Sequence, residues 1–114
     1  MKLLRLGNKG EEKPAILDSD GNYRDLSSII NDFNPETLNF GTIDKIKNAD
    51  LLELPKLEIK NRIGACVSNP SKFIGIGLNF SDHAAETGAK PPTEPILFMK
   101  ATSSINGPND NIEH

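Results

Sequence analysis

Short apolar runs separated by polar turns dominate the first third of the chain. Residues 3–6 and 14–17 are the first two runs, and both are too short for helices. The polar stretch 18–22 follows the second run and contains an Asp-Gly pair, which is typical of a tight hairpin turn. Extended chain resumes at Tyr23. The pattern predicts a small β-rich unit that contains a hairpin.

Helical signals replace this pattern between residues 34 and 50. Pro35 suits the first position of a helix, because its ring already has a helical φ. Thr42 can cap a second helix, in which Ile43 and Ile46 lie three positions apart on one face. We therefore expect short helices between the strands of this unit.

The pattern of apolar and polar residues changes again near residue 63. Three nearly unbroken apolar runs follow, at residues 63–67, 73–77 and 96–99. Such runs fit strands that are buried on both faces. The change predicts an α+β fold with an N-terminal β-rich domain over residues 1–65 and a second unit over residues 66–114. That second unit is too short to close a core alone.

Composition narrows the class of protein. Thirteen Lys and Arg against sixteen Asp and Glu give a net charge of −3, which argues against a nucleic-acid or anionic membrane surface as partner. No window approaches the roughly 18 apolar residues of a membrane span, and no signal peptide is apparent. Cys66 is the one cysteine, so an internal disulfide and a cysteine metal cluster are excluded. A cytoplasmic location is the expectation.

The segment from residue 79 to residue 88 carries the most chemistry. Asn79 or Ser81 can cap a helix there, and Gly88 can end it. His83 and Glu86 are three apart and so share a face, where the carboxylate can hold one imidazole nitrogen and leave the other as a base. The same pair is also common on a solvated helix surface, and spacing alone leaves both interpretations open.

Two further features of the sequence could bind a ligand. The Gly-x-Gly of residues 75–77 invites a dinucleotide interpretation, but Phe80 occupies the position of the third glycine. Glycines that allow a close approach are the better interpretation. Lys100 follows an apolar run and could pair with a carboxylate or a substrate anion, or simply be exposed.

The chain resembles the fumarylacetoacetate hydrolase family over essentially its whole length. Its nearest likeness is to bacterial members labelled as ureidoglycolate lyases, hydroxyhepta-diene-dioate isomerases or diketo-deoxy-sugar-acid hydrolases. Residues 75–86 are the most specific part of the likeness. The segments that carry it are residues 1–5, 12–14, 25–27, 73–86 and 95–100.

This resemblance implies an N-terminal β-rich domain followed by the start of a β-roll catalytic domain. It implies that His83 and Glu86 activate a water that attacks a 1,3-diketo acid or related keto acid, with hydrolysis of a carbon–carbon bond or isomerisation. It places Lys100 and Phe80 near the substrate, although relatives usually carry Tyr at the position of Phe80. It further implies a homo-oligomer and a Mg²⁺ or Mn²⁺ ion that chelates the substrate.

The chain departs from the family where the metal ligands should follow. In the family these carboxylates come after a Gly-Pro-Asn-Asp turn, which here is residues 107–110, and the sequence stops at His114. The resemblance therefore implies a truncated N-terminal portion of an enzyme, with no metal ligands of its own and no activity alone. A second hypothesis is a non-catalytic module that binds a partner or self-associates.

Overall fold

The computed structural model describes residues 1–58 and 62–112 and divides the chain into two compact units. Unit 1 comprises residues 1–70 and 105–114, and unit 2 comprises residues 71–104. Strands and helices are mixed, with two small antiparallel sheets and short helices, so the predicted α+β class is confirmed. In the described part of the chain, no helix is long and apolar enough to cross a membrane.

Unit 1 is built on an antiparallel sheet. Within the described residues it has four strands, in spatial order β1-β2-β3-β4. One helix, α1, lies between the third and fourth strands in the sequence. The elements are β1 (Lys2–Leu6), β2 (Lys13–Leu17), β3 (Tyr23–Asp25), α1 (Phe40–Lys47) and β4 (Lys56–Leu57).

The hairpin predicted at residues 18–22 joins β2 to β3. Asp18 closes it, because its carboxylate accepts from the Asn22 amide at 2.8 Å and from the Asp20 amide at 3.0 Å. Gly21 has φ +81°, the left-handed conformation that favours glycine. Arg24 then donates from Nε to the Asp18 carboxylate at 2.8 Å, and both side chains are buried. The predicted hairpin is confirmed.

The core of unit 1 lies between the sheet and the segments that follow it. Only one α1 side chain, that of Ile46, is fully buried, which fixes the face that the helix turns inward. Its partners come from β2 and from the loop between β3 and α1. The cluster consists of Ile16, Leu26, Ile30, Phe33 and Ile46.

The helical predictions for residues 34–50 need correction at their start. Pro35 lies in a turn and not in a helix, because the Asn34 side chain accepts from the amides of Glu36 and Thr37 and closes the chain locally. The cap of α1 is Asn39, whose side chain accepts from the Thr42 amide at 3.0 Å. Thr42 therefore lies inside the helix, and its predicted role as the cap is wrong.

The strand predicted at residues 63–67 is absent from the described structure. A single bridge joins Leu6 to Ile63, and the Gly64 amide donates to the Arg5 carbonyl at 2.8 Å. Beyond Gly64 the backbone bonds to other partners instead of β1: the Ala65 carbonyl accepts from the Arg5 guanidinium at 3.2 Å, and the Ser68 amide donates to the Phe33 carbonyl at 2.7 Å. The predicted strand at residues 63–67 is therefore wrong, since only one residue pair of the segment bridges to β1.

Unit 2 is a two-stranded antiparallel hairpin with a short helix between its strands. It consists of β5 (Phe73–Gly77), α2 (Ser81–Glu86) and β6 (Ile96–Lys100), followed by a 3₁₀ turn at Thr102–Ser104. Residues 73 and 100 face each other at one end of the hairpin, and residues 77 and 96 at the other. The two strands are confirmed as predicted. Their burial on both faces is wrong, because every residue of β6 and most of β5 are exposed.

Candidate active site

Helix α2 is preceded by a turn with a positive φ and is followed by a glycine with a positive φ. Leu78 has φ +47°, a conformation uncommon for a residue with a side chain, and it turns the chain out of β5. Phe80 occupies the cap position without a side-chain hydrogen bond, so neither Asn79 nor Ser81 caps the helix as predicted.

The predicted end of α2 at Gly88 is confirmed. Gly88 has φ +68°, and its amide donates to the Ala85 carbonyl at 3.0 Å. The Ala89 amide donates to the Ala84 carbonyl at 2.9 Å, which completes a Schellman motif. The helix is therefore held to two turns or fewer, and its C-terminal end is closed by these backbone bonds and by the Thr87 hydroxyl, which donates to the Ala84 carbonyl at 3.0 Å.

His83 and Glu86 share one exposed face of α2. At 100° per residue they lie about 60° apart around the axis, while the buried Ala84 lies about 100° from His83. In the described structure no hydrogen bond or ion pair joins the two side chains. Both are free to meet a water or a substrate from solvent, and their catalytic role stays a prediction.

A cavity of about 360 Å³ lies within unit 2 at the α2 end of the hairpin. Ser81 is the helix residue that lines it, and it lies about 200° around the axis from His83. The cavity and the His83–Glu86 face are therefore on different sides of α2. The lining residues are Ile76, Gly77, Leu78, Asn79, Ser81, Pro91, Pro92, Thr93, Glu94 and Pro95.

The structure does not bring Lys100 to the helix. Lys100 pairs with Phe73 at the end of the hairpin opposite to α2, four residues along β6 from Ile96. At the rise of a strand, that is about 13 Å of backbone. Phe80 adjoins α2 and is 69% exposed, so its ring is open to a ligand. The substrate-binding roles of both residues stay predictions.

The described residues do not fit a divalent metal ion. No group of three His, Cys, Asp or Glu side chains within residues 1–58 and 62–112 could hold one. On α2 itself, Asp82 and Glu86 are the only acids, and two carboxylates are fewer oxygen ligands than Mg²⁺ or Mn²⁺ takes. No chemical step is therefore assigned to a metal on these residues.

Sequence reasoning missed the packing role of one glycine in β5. Gly75 faces Phe98 across the hairpin, and a Cβ built on Gly75 would overlap the Phe98 ring. The glycine thus gives room to an aromatic ring, which agrees with the close-approach interpretation of the Gly-x-Gly and not with a nucleotide site. The role of Gly75 depends on its pairing with Phe98, and this pairing cannot be predicted from the sequence of one strand alone.

The chain is similar to curated proteins that are named as hydrolases. The chain is 51% identical over 113 residues to a protein of Burkholderia lata named "Putative hydrolase", and equally identical to one of the same name from Burkholderia ambifaria strain MC40-6. A further relative of that name, from Burkholderia cenocepacia strain HI2424, is 50% identical over the same length. No protein-family model matches the chain. Each match covers 99% of this chain, which spans about 40% of the length of these relatives.

Proposed function

We propose that this chain carries the water-activating part of a hydrolase of the fumarylacetoacetate hydrolase family. The observation that carries the proposal is the exposed His83–Glu86 face on a short helix that begins four residues after the end of a strand. The likeness to proteins named as hydrolases supports the reaction class. The segment from Gly75 to Glu86, which most resembles the family, is the one that presents this face.

In the proposed reaction, His83 takes a proton from a water, and Glu86 stabilises the imidazolium that forms. The water oxygen bonds to the acyl carbonyl carbon of a 1,3-diketo acid. The bond from that carbon to the central carbon then breaks, and its electron pair passes into the neighbouring keto group as an enolate. A proton returns to the central carbon, so an acylpyruvate and water give a carboxylic acid and pyruvate.

A Mg²⁺ or Mn²⁺ ion in the family would stabilise the enolate when bound. The residues described here do not fit such an ion, and we propose that its ligands belong to the length of the relatives that this chain does not span. The 114-residue chain alone is then expected to hydrolyse no acylpyruvate. Keto-acid substrates and homo-oligomeric assembly are proposed for the longer protein.

The test is a chimera in which this chain replaces the matching 113 residues of the Burkholderia lata relative. Hydrolysis of acetylpyruvate with added Mg²⁺ is followed by the loss of the ultraviolet absorbance of the enolised diketone. We expect turnover in the chimera, and a loss of about 10²-fold or more in kcat for His83→Asn, since general-base catalysis contributes that much.

Asp82→Asn is the matched control, because Asp82 is an exposed neighbour on the same helix. We expect its kcat within about twofold of the parent chimera, since surface changes outside such sites have small effects. A folded chimera that hydrolyses no acylpyruvate would refute the substrate class. A His83→Asn chimera with unchanged kcat would refute the catalytic role.

The exposed apolar hairpin favours one second candidate, a module that self-associates. Both strands of unit 2 show large apolar side chains to solvent, with Leu97 68% and Met99 63% exposed. Free strand edges and apolar faces promote association. The expected result is a dimer or larger species by light scattering after size exclusion.

Leu97→Lys should return that species to monomer, because a charge on β6 opposes burial of the strand. Leu52→Lys is the control, since Leu52 is equally exposed, at 68%, but lies in unit 1. A concentration-independent monomer for the unaltered chain would exclude self-association.

A further inference from the structure

Five charged side chains of alternating sign form one connected chain in unit 1. Arg5 pairs with Asp32 through two hydrogen bonds of 2.6 and 2.9 Å, and with Glu12 at 3.3 Å. The other oxygen of Glu12 accepts from Arg62 at 2.7 Å. Arg62 in turn holds Asp110 through two hydrogen bonds, of 2.7 and 2.5 Å. The order is Asp32–Arg5–Glu12–Arg62–Asp110, which we call the charge chain.

The charge chain is shielded from solvent, so its contacts are stronger than those of surface pairs. The side chains of Glu12 and Arg5 are 6% and 9% exposed, and those of Asp110 and Arg62 are 17% and 25% exposed. The hydrogen bond from Arg62 lowers the pKa of Asp110 below its ordinary value. Burial raises the pKa of Glu12, but the hydrogen bonds from Arg62 and from backbone amides, together with the charge of Arg5, outweigh it and lower the pKa overall.

The Arg62–Asp110 pair holds a turn that follows unit 2 in the sequence. The second Asp110 oxygen also accepts from the Gly107 amide at 2.9 Å, and the Asp110 amide donates back to the Gly107 carbonyl at 3.2 Å. A Cβ on Gly107 would overlap the Ile63 carbonyl, so the turn lies directly against residues 62–63. Arg62 thus helps to fix where the chain returns to unit 1.

The polypeptide is also fixed where it leaves unit 1. The Gly64 amide bonds to the Arg5 carbonyl, and the Ser68 amide donates to the Phe33 carbonyl at 2.7 Å. Residues 71–104 therefore form an excursion whose two ends are both held on unit 1. The excursion has little core of its own: across residues 71–104, all of which the structure describes, only Ala84 is buried.

We infer that the Arg62–Asp110 pair is a clasp that maintains the order of residues 71–104. A segment with few buried side chains gains little from its own packing, so restraint of its ends contributes a large share of its order. The clasp acts on the hairpin and on α2, whether or not His83 and Glu86 are catalytic. Loss of the contact between Asp110 and Arg62 frees one end of residues 71–104 and makes local opening of β5 and β6 more frequent.

The test is amide hydrogen exchange on the full chain, with Asp110→Asn as the variant. Asn keeps the size of the side chain and can still accept from the Gly107 amide, but it loses the charge and the paired contact with Arg62. We expect the β5 and β6 amides to exchange about tenfold faster, with β1 to β3 unchanged. Asp44→Asn, which removes an exposed pair with Lys47, should alter no amide of residues 71–104.

Unchanged exchange in β5 and β6, with faster exchange only near residues 105–112, would overturn the clasp. If Asp110→Asn also loosens β1 to β3, Arg62→Lys is measured instead, because it keeps the positive charge and loses the paired geometry. Faster exchange confined to residues 71–112 in that variant supports the clasp. Loosening of β1 to β3 there as well would overturn it, since the pair would then act on unit 1 as a whole.

Discussion

The replacement Glu12→Gln probes the centre of the charge chain. Glu12 lies just before β2, and its carboxylate is almost fully buried between two arginines, Arg5 and Arg62. Gln has nearly the same shape and can accept from one of them. The change therefore removes the negative charge while it leaves the packing of the region intact.

The expected cost follows from the contacts with the two arginines, because Gln can still accept from the Gly10 amide, which donates to Glu12 Oε2 at 3.0 Å. A hydrogen bond to a charged group contributes about 1.5–3 kcal/mol, and the 2.7 Å contact with Arg62 falls in this class. The 3.3 Å contact with Arg5 adds little. Each arginine keeps a second carboxylate, Asp32 or Asp110, so the loss stays below the 3–5 kcal/mol of a fully orphaned buried charge. We expect unfolding free energy to fall by about 2 kcal/mol.

Urea unfolding followed by far-ultraviolet circular dichroism measures this loss, since the chain has no tryptophan. The transition midpoint should move by about 1 M at an unchanged slope, given typical slopes of 1–3 kcal/mol per molar. Asp44→Asn is the control, because its pair with Lys47 is exposed and should contribute below about 0.5 kcal/mol. A loss for Glu12→Gln as small as that of the control would refute the reasoning, because the charge chain would then behave as a surface pair.

Two further predictions concern the stability of unit 1. The Arg24 guanidinium lowers the pKa of Asp18 from 3.8 to about 2, so the fold favours the ionised form; its contribution should be complete above about pH 4 and be lost as pH falls toward about 2. Urea melts across that range should show the loss in the unaltered chain and a flatter profile in Asp18→Asn. Phe33→Ala should cost about 3–5 kcal/mol because Phe33 is 1% exposed in the core, whereas Phe40→Ala, at a ring 91% exposed, should cost under about 0.5 kcal/mol in the same melts.

Local features of the fold were predictable where the residues themselves carry the signal. The Asp-Gly turn at residues 18–22 and the glycine stop at Gly88 depend on backbone conformations that few residues adopt, and both are confirmed. The strands at 73–77 and 96–99 follow equally from their apolar runs. Their burial could not be predicted in the same way, because burial depends on which other elements pack against the strands, and the local sequence does not specify those elements.

Contacts between residues that are far apart in the sequence could not be predicted from it. The charge chain joins residues 5, 12, 32, 62 and 110, and no spacing relates them. The absence of a strand at 63–67 is of the same kind, since the backbone there bonds to the distant residues Arg5 and Phe33. At the candidate site, the spacing placed His83 and Glu86 on one face, but the distance of Lys100 depends on strand register.

The most direct test of the account is a comparison of single and double variants at His83 and Glu86 in the active chimera. Residues that activate one water as a unit lose function non-additively. We predict that His83→Asn with Glu86→Gln lowers kcat for acetylpyruvate no further than His83→Asn alone. Losses that multiply in the double variant, or a single variant with unchanged kcat, would contradict the His–Glu pair as the water-activating group.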